Sequence, residues 1–195
     1  ISMIKENKIW RYIRQHILTG LIPDNEIGVK LMGHRKYVGG MWDEIGNLQF
    51  DFMKKEGLKR KHNFLEIGCV SLRGGRHFIG YLDEKCYMGL DSNNYVVQRG
   101  IENELSKKLI DEKKPEFQFN ENFDFSNFTK SPDFSLSVSL FTHLNHMDIK
   151  LCLNNLRTFV DAGHRYYISY YEGNSNKNPN ESHSLAHFEY SYEEL

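Results

Sequence analysis

Cysteine is scarce in this chain. Cys69, Cys86 and Cys152 are three in number and widely spaced, so they show no metal-ligand spacing and suit a reducing cytosol. Long apolar runs are missing as well. No stretch approaches the ~20 residues that span a bilayer, and no signal peptide is visible, so a cytoplasmic protein without a membrane partner is expected. Charge of one sign is also lacking. The 25 Lys+Arg against 26 Asp+Glu leave a net charge of −1 with His neutral, and nothing marks the whole surface as a nucleic-acid binder. The one dense basic run, Lys59-Arg60-Lys61-His62, reads as a solvated loop rather than a polyanion site.

What is present is ordinary for a globular protein: 195 residues, 39% hydrophobic and 26% charged, enough for one domain with a sizeable core. Two regions divide it, a helical N-terminal part over 1–62 and an α/β core over 63–195. Residues 4–18 carry Ile4, Ile9, Trp10, Ile13 and Ile17 at mixed 3–4 spacing. Residues 41–56 place Ile45, Leu48 and Phe52 on one face, with Gly57 as a stop. The run Lys36-Tyr37-Val38-Gly39-Gly40 between them predicts a turn.

From Asn63 the period changes. Short apolar runs at 64–69, 86–90, 117–119, 134–141 and 166–171 alternate with helical spacing at 75–82, 95–110 and 147–160. That alternation predicts right-handed crossovers and an open, mainly parallel sheet with helices on both faces. The polar, asparagine-rich stretch 173–184 reads as a mobile loop. Ser191, followed by Glu193 and Glu194, reads as the N-cap of a helix starting as the chain ends. The last strand then has an exposed edge.

The chemistry concentrates at FLEIGCVSLRGG, residues 64–75, and MGLDSN, residues 88–93. An apolar strand runs through Glu66 and Gly68 into a turn and a helix, and a second strand about twenty residues on ends in Asp91. That is how open α/β sheets hold a ribose-bearing cofactor. A dinucleotide fingerprint needs a second glycine where Val70 stands, because the backbone must approach a pyrophosphate. Glu66 would also repel phosphate while suiting a cationic ligand. S-adenosylmethionine (SAM) carries a sulfonium and an ammonium but no phosphate, so it fits better than NAD(P).

With these residues the chain resembles class I SAM-dependent methyltransferases over roughly 37–195. LEIGCVSLRGG resembles the motif that wraps the methionine end, MGLDSN the ribose block, Glu121-Asn122-Phe123-Asp124 the adenine block, and DFSLSVSLFTHL at 133–144 the block that ends at the reaction centre. Val70 departs from the glycine many members have. The resemblance implies a Rossmann-like fold and cofactor contacts from Tyr37, Glu66, Gly68, Cys69, Arg73, Asp91, Ser92, Asp124 and Ser139. It also implies S-adenosylhomocysteine as product and absence of the C-terminal hairpin that completes the family's seven strands. Upstream YVGGMWDEIGNLQFDF and downstream HFEYSYEEL are similar to small methyltransferases of capsule and polysaccharide pathways, some linked to O-methyl phosphoramidate decoration. The expected partner is therefore a small-molecule, saccharide-linked or phosphoramidate acceptor.

Other residues carry two readings each. Arg73 and Arg76 flank a helix start and either meet an anion or lie in solvent. Tyr37 either covers the methionine end or packs on the sheet edge. His143 is the candidate general base for a hydroxyl acceptor, its alternative being a backbone-bonded helix-start histidine. His183 and His187 lack a third ligand for a metal, and no metal is expected. An NAD(P)-dependent oxidoreductase and a non-catalytic SAM-binding subunit stand as alternatives.

Overall fold

The computed structural model describes residues 26–184 and 186–195; the helix expected over 4–18 lies outside them. Three helices open the described chain: α1 (Glu26–Met32), α2 (His34–Tyr37) and α3 (Trp42–Lys55). The core then runs β1 (Phe64–Ile67), α4 (Gly75–Tyr81), β2 (Tyr87–Asp91), α5 (Asn94–Glu104), α6 (Lys107–Lys113), β3 (Glu116–Phe119), β4 (Phe134–Ser137), α7 (His146–Phe159) and β5 (Arg165–Ile168). Two short strands, β6 (Tyr171–Glu172) and β7 (Glu189–Tyr190), pair with each other in parallel outside the main sheet.

The main sheet has the order β3-β2-β1-β4-β5, and all four pairings are parallel. Alternate residues of a strand face opposite ways, and the two cores follow from that. Phe64 packs with Met53 of α3, Phe78 and Ile79 of α4 and Val97 of α5. Leu65 and Ile67 pack with Met88, Leu90 and, from α7, Cys152 and Leu156. Helices cover both faces, and the order reverses between β1 and β4, so the switch-point crevice opens outside the carboxyl ends of those two strands, next to that of β2. The architecture is the open, parallel sheet expected from the alternation of strands and helices, and the Rossmann-like fold that the resemblance implies.

Several local expectations change. The face of α3 that packs is Trp42, Gly46, Gln49 and Met53, not Ile45, Leu48 and Phe52; Leu48 is 65% exposed and Phe52 39%. The reason is close approach to α4, where a Cβ on Gly46 would lie 2.6 Å from the Arg73 carbonyl oxygen, so the glycine side must face inward. The helix expected over 95–110 breaks at Leu105, because the Ser106 hydroxyl caps a new helix by accepting from the Leu109 N–H at 3.1 Å. Gly57, at φ 100°, ends α3 as expected.

The stretch 173–184 is tied down rather than loose. The Asn178 side chain donates to the Glu189 carbonyl at 2.8 Å and accepts from the Glu189 N–H at 2.9 Å, in effect adding a backbone-like rung beside β7. Ser191 precedes a short 3-10 turn, Tyr192–Glu194, rather than an α-helix.

Candidate functional site

The turn after β1 is built in left-handed conformations, with Gly68 at φ 79°, Val70 at φ 44° and Leu72 at φ 64°. A β-branched residue in that region is strained and persists only where its surroundings fix it. Asp91 supplies the fixing. Its Oδ2 accepts from the Val70 N–H at 2.9 Å and its Oδ1 from the Asn93 N–H at 2.8 Å. The Gly68 and Cys69 N–H groups both donate to the Leu90 carbonyl, at 2.8 and 3.2 Å. The ends of β1 and β2 are thereby knitted into one rim. Burial raises the Asp91 carboxyl, opposed by the backbone hydrogen bonds from Asn93, Val70 and Ser92.

Glu66 is turned inward, 6% exposed. Its Oε2 accepts from the Tyr87 hydroxyl at 2.6 Å, and both oxygens press on the backbone of Gly74 and Gly75, where an added Cβ would sit 3.1 and 3.0 Å away. Burial pushes this carboxyl up to about 7, against the Tyr87 hydrogen bond. The Cys69 side chain is also in the core, and burial raises its thiol. Ser92, by contrast, is exposed beside Asp91.

The N-terminal helices lean on this rim. Arg73 Nη1 donates to the carbonyls of Val38 and Gly40 at 3.3 and 3.2 Å, clamping the glycine turn next to half-buried Tyr37. Arg76 reaches Asp43 at 2.5 Å and Glu104 at 3.7 Å. Glu104 also binds His34 at 2.7 Å and Arg35 through two bonds of 2.7 and 2.9 Å. Burial alone would raise Glu104; the bonds from Arg35 and His34 outweigh it and hold the carboxyl below its usual range. Both arginines singled out by their place at a helix start therefore serve protein contacts.

Asp124 follows β3 and caps its own turn, Oδ1 accepting from the Ser126 N–H at 2.8 Å; hydrogen bonding from the Ser126 side chain and then its backbone lowers the Asp124 pKa. It lines a cavity of about 290 Å³ between the β3–β4 connection and α7. A more open concavity of about 770 Å³ lies at the outer edge of β3 near Lys85, Lys114 and Lys130. Neither is lined by Gly68, Asp91 or His143.

Beyond β4 the chain leaves the strand at Ser139, φ 62°, whose N–H donates to Ser169 Oγ at 2.7 Å. The residues that follow are held by a strap that sequence patterns did not reveal. His143 Nδ1 donates to the Ala186 carbonyl at 2.7 Å, and the His143 carbonyl accepts from the His183 N–H at 3.1 Å. The Thr142 carbonyl accepts from the Phe188 N–H at 3.0 Å, and the Leu144 carbonyl from the Tyr190 hydroxyl at 2.6 Å. Ser182 joins the Asn145 N–H and Asp148. Phe188 and Tyr190 are buried with Phe141 and Ile149 beneath it. His187 stacks on Tyr171 at 4.5 Å and contacts Glu189. The available signal was the density of Asn and Ser, residues that substitute for backbone partners in loops.

The structure thus joins Gly68, Cys69, Asp91 and Ser92 in one rim, with Glu66, Arg73 and Tyr37 beneath and beside it. Asp124 stands in a separate turn after β3, and Ser139 and His143 on the loop after β4. Among the described residues, no group of three His, Cys, Asp or Glu side chains is placed to hold a metal ion, and no helix is long and apolar enough to cross a membrane.

No protein-family model matches the chain, and no curated protein does. Solved structures do match in fold. Magnesium protoporphyrin IX methyltransferase (ChlM) from Synechocystis PCC 6803 with bound SAM aligns over 99% of this chain and 84% of its own, at a TM-score of 0.57 and 11% identity. The glycopeptide N-methyltransferase MtfA complexed with SAM aligns over 69% of this chain at 0.54 and 12% identity. The CcbJ methyltransferase from Streptomyces caelestis aligns over 69% at 0.53 and 13%. The chain spans 58% of that MtfA chain and 52% of the CcbJ chain. At such identities the likeness establishes the class I methyltransferase fold.

Proposed function

We propose that the protein is a SAM-dependent methyltransferase, with the cofactor lying across the rim of β1 and β2. The observation that carries this reading is the Val70–Asp91 junction. Asp91 accepts from the Val70 N–H on Oδ2 and the Asn93 N–H on Oδ1, with the Ser92 N–H as a third backbone donor, and of a carboxylate's four lone-pair sites this leaves one for a ribose hydroxyl. The Val70 side chain stands where a pyrophosphate would need bare backbone, which disfavours NAD(P). SAM-bound relatives in fold, ChlM and MtfA, support the choice. SAM would supply an electrophilic methyl group on a sulfonium. Asp91 would hold the ribose, with Ser92 beside it. The backbone of 68–72 would line the methionine end, kept in shape by Glu66 and Arg73, with Tyr37 as its cover. Asp124 and Ser139 would flank the adenosine and the reaction centre.

For the acceptor we propose an oxygen of a small, saccharide-linked or phosphoramidate compound, in capsule or polysaccharide synthesis in the cytoplasm. Support comes from the loop after β4. A carbonyl only accepts, so the Ala186 carbonyl fixes the hydrogen of His143 on Nδ1 and leaves the lone pair on Nε2, the atom that would take a hydroxyl proton. Most of the rate would come from holding the reacting atoms in line, worth about 7–11 kcal/mol. Calorimetric titration with SAM, S-adenosylhomocysteine and NAD tests the cofactor: micromolar binding of the sulfur nucleosides and none of NAD is expected, and the reverse order overturns the reading. His143→Ala tests the base; a loss of turnover below about tenfold removes that role.

A further inference from the structure

The four buried polar side-chain atoms that lack a partner among the described residues all lie on α3 and α4: Trp42 Nε1, Gln49 Oε1, Arg76 Nε and His77 Nε2. One of them lies in the same place as another acceptor. A Cβ on Gly74 would strike Gln49 Oε1 and stand 3.1 Å from Glu66 Oε1, so both oxygens close on the same point above that glycine. Gln49 is 7% exposed and Glu66 6%. Glu66 already uses Oε2 for the Tyr87 hydroxyl. Two acceptor oxygens brought to the same point repel unless one of them carries a donor hydrogen.

We propose that Gln49 is a positioning residue for the turn after β1, its Oε1 accepting a hydrogen bond from the carboxylic acid form of Glu66 at Oε1. The bond would tie α3 to the end of β1, and loss of the Glu66 proton would loosen that tie. The electrostatic surroundings agree. Tyr87 on β2 and Arg73 in the turn favour the carboxylate, while burial and Asp91 at the end of β2 favour the acid, and burial prevails. Cys69, also in the turn, is a neutral thiol with its pKa raised. The inference rests on these side chains and stands whether or not the protein transfers methyl groups.

The test is a carbon-13 NMR titration of the Glu66 carboxyl in the wild-type protein and in Gln49→Met, which keeps the volume and removes the acceptor. The expected result is a fall in the Glu66 titration midpoint of about one pH unit, because the acid form loses its partner. A rise overturns the proposal, since it would mean that Gln49 donates its amide to a carboxylate; so does an unchanged midpoint. Glu66→Gln provides a second readout that does not depend on the Gln49 variant folding. Its amide donates at every pH, so amide-exchange protection in α3 should fall about tenfold between pH 6 and 8 in the wild type and stay constant in the variant. Equal pH dependence in the two proteins overturns the proposal.

Discussion

Gly80 and Gly100 both lie inside helices, and alanine should act on them in opposite directions. By helix propensity alone either substitution stabilises, by about 0.5–1 kcal/mol. At Gly80, in α4, a Cβ meets nothing within 4 Å, so the gain is expected in full. At Gly100, in α5, a Cβ would lie 2.5 Å from the Ser71 carbonyl oxygen, 2.6 Å from its carbon and 2.9 Å from its Cα. These are backbone atoms of the turn after β1, and Ser71 is fully buried, so nothing flexible can yield. Overpacking of this kind costs about 3 kcal/mol, leaving a net loss of about 2 kcal/mol. The pair should therefore differ by about 3 kcal/mol, or roughly 6–12 °C in melting temperature for a chain of this size. Thermal and urea denaturation of the two variants would measure it. Gly100→Ala should also weaken binding of S-adenosylhomocysteine, because the displaced segment is the cofactor turn, whereas Gly80→Ala should not. If Gly100→Ala proves as stable as Gly80→Ala, the close packing of α5 on that turn is refuted.

Asp91→Asn leaves one of the Val70 and Asn93 amides without an acceptor and removes a charge-assisted partner for the ribose; calorimetry should show at least about a tenfold loss of S-adenosylhomocysteine affinity. Arg73→Ala breaks both bonds to the Val38 and Gly40 carbonyls and should lower stability by about 2 kcal/mol, read by urea denaturation. Glu66 predicts a pH dependence of defined sign. Its acid group rises from 4.5 unfolded to about 7 folded, chiefly through burial. Between those values the folded chain keeps a proton that the unfolded chain releases, so stability falls as pH rises through that window and is level on either side. Glu66→Gln, which does not titrate, should gain about 3 kcal/mol on the wild type between pH 4.5 and 7. A constant difference across that range would contradict the burial of Glu66.

The sheet was legible because parallel strands buried on both faces read as short apolar runs, and five of them alternate with helical spacing. Asp91 was legible for a related reason: a carboxylate at the end of such a run has no place in the core. The packing face of α3 was not, because apolar periodicity favoured Leu48 and Phe52, while the requirement for a glycine against the Arg73 carbonyl lies in tertiary structure. Arg73 and Arg76 were marked by their position at a helix start, but their partners, two carbonyls and the Asp43 and Glu104 carboxylates, lie about 30 residues away in sequence. The strap over His143 depends on long-range pairs between 142–148 and 180–190, and no local pattern carries those.

The proposed cofactor site for a sulfur nucleoside lies at the carboxyl ends of β1 and β2. The most direct measurement is an amide-resolved NMR titration of the protein with S-adenosylhomocysteine. The largest shifts are expected at Gly68–Leu72 and Asp91–Asn93, with smaller ones near Asp124 and Ser139. Shifts centred instead on Asn127, Thr129 and Lys130 at the outer edge of β3, or no shifts at millimolar ligand, would contradict this placement.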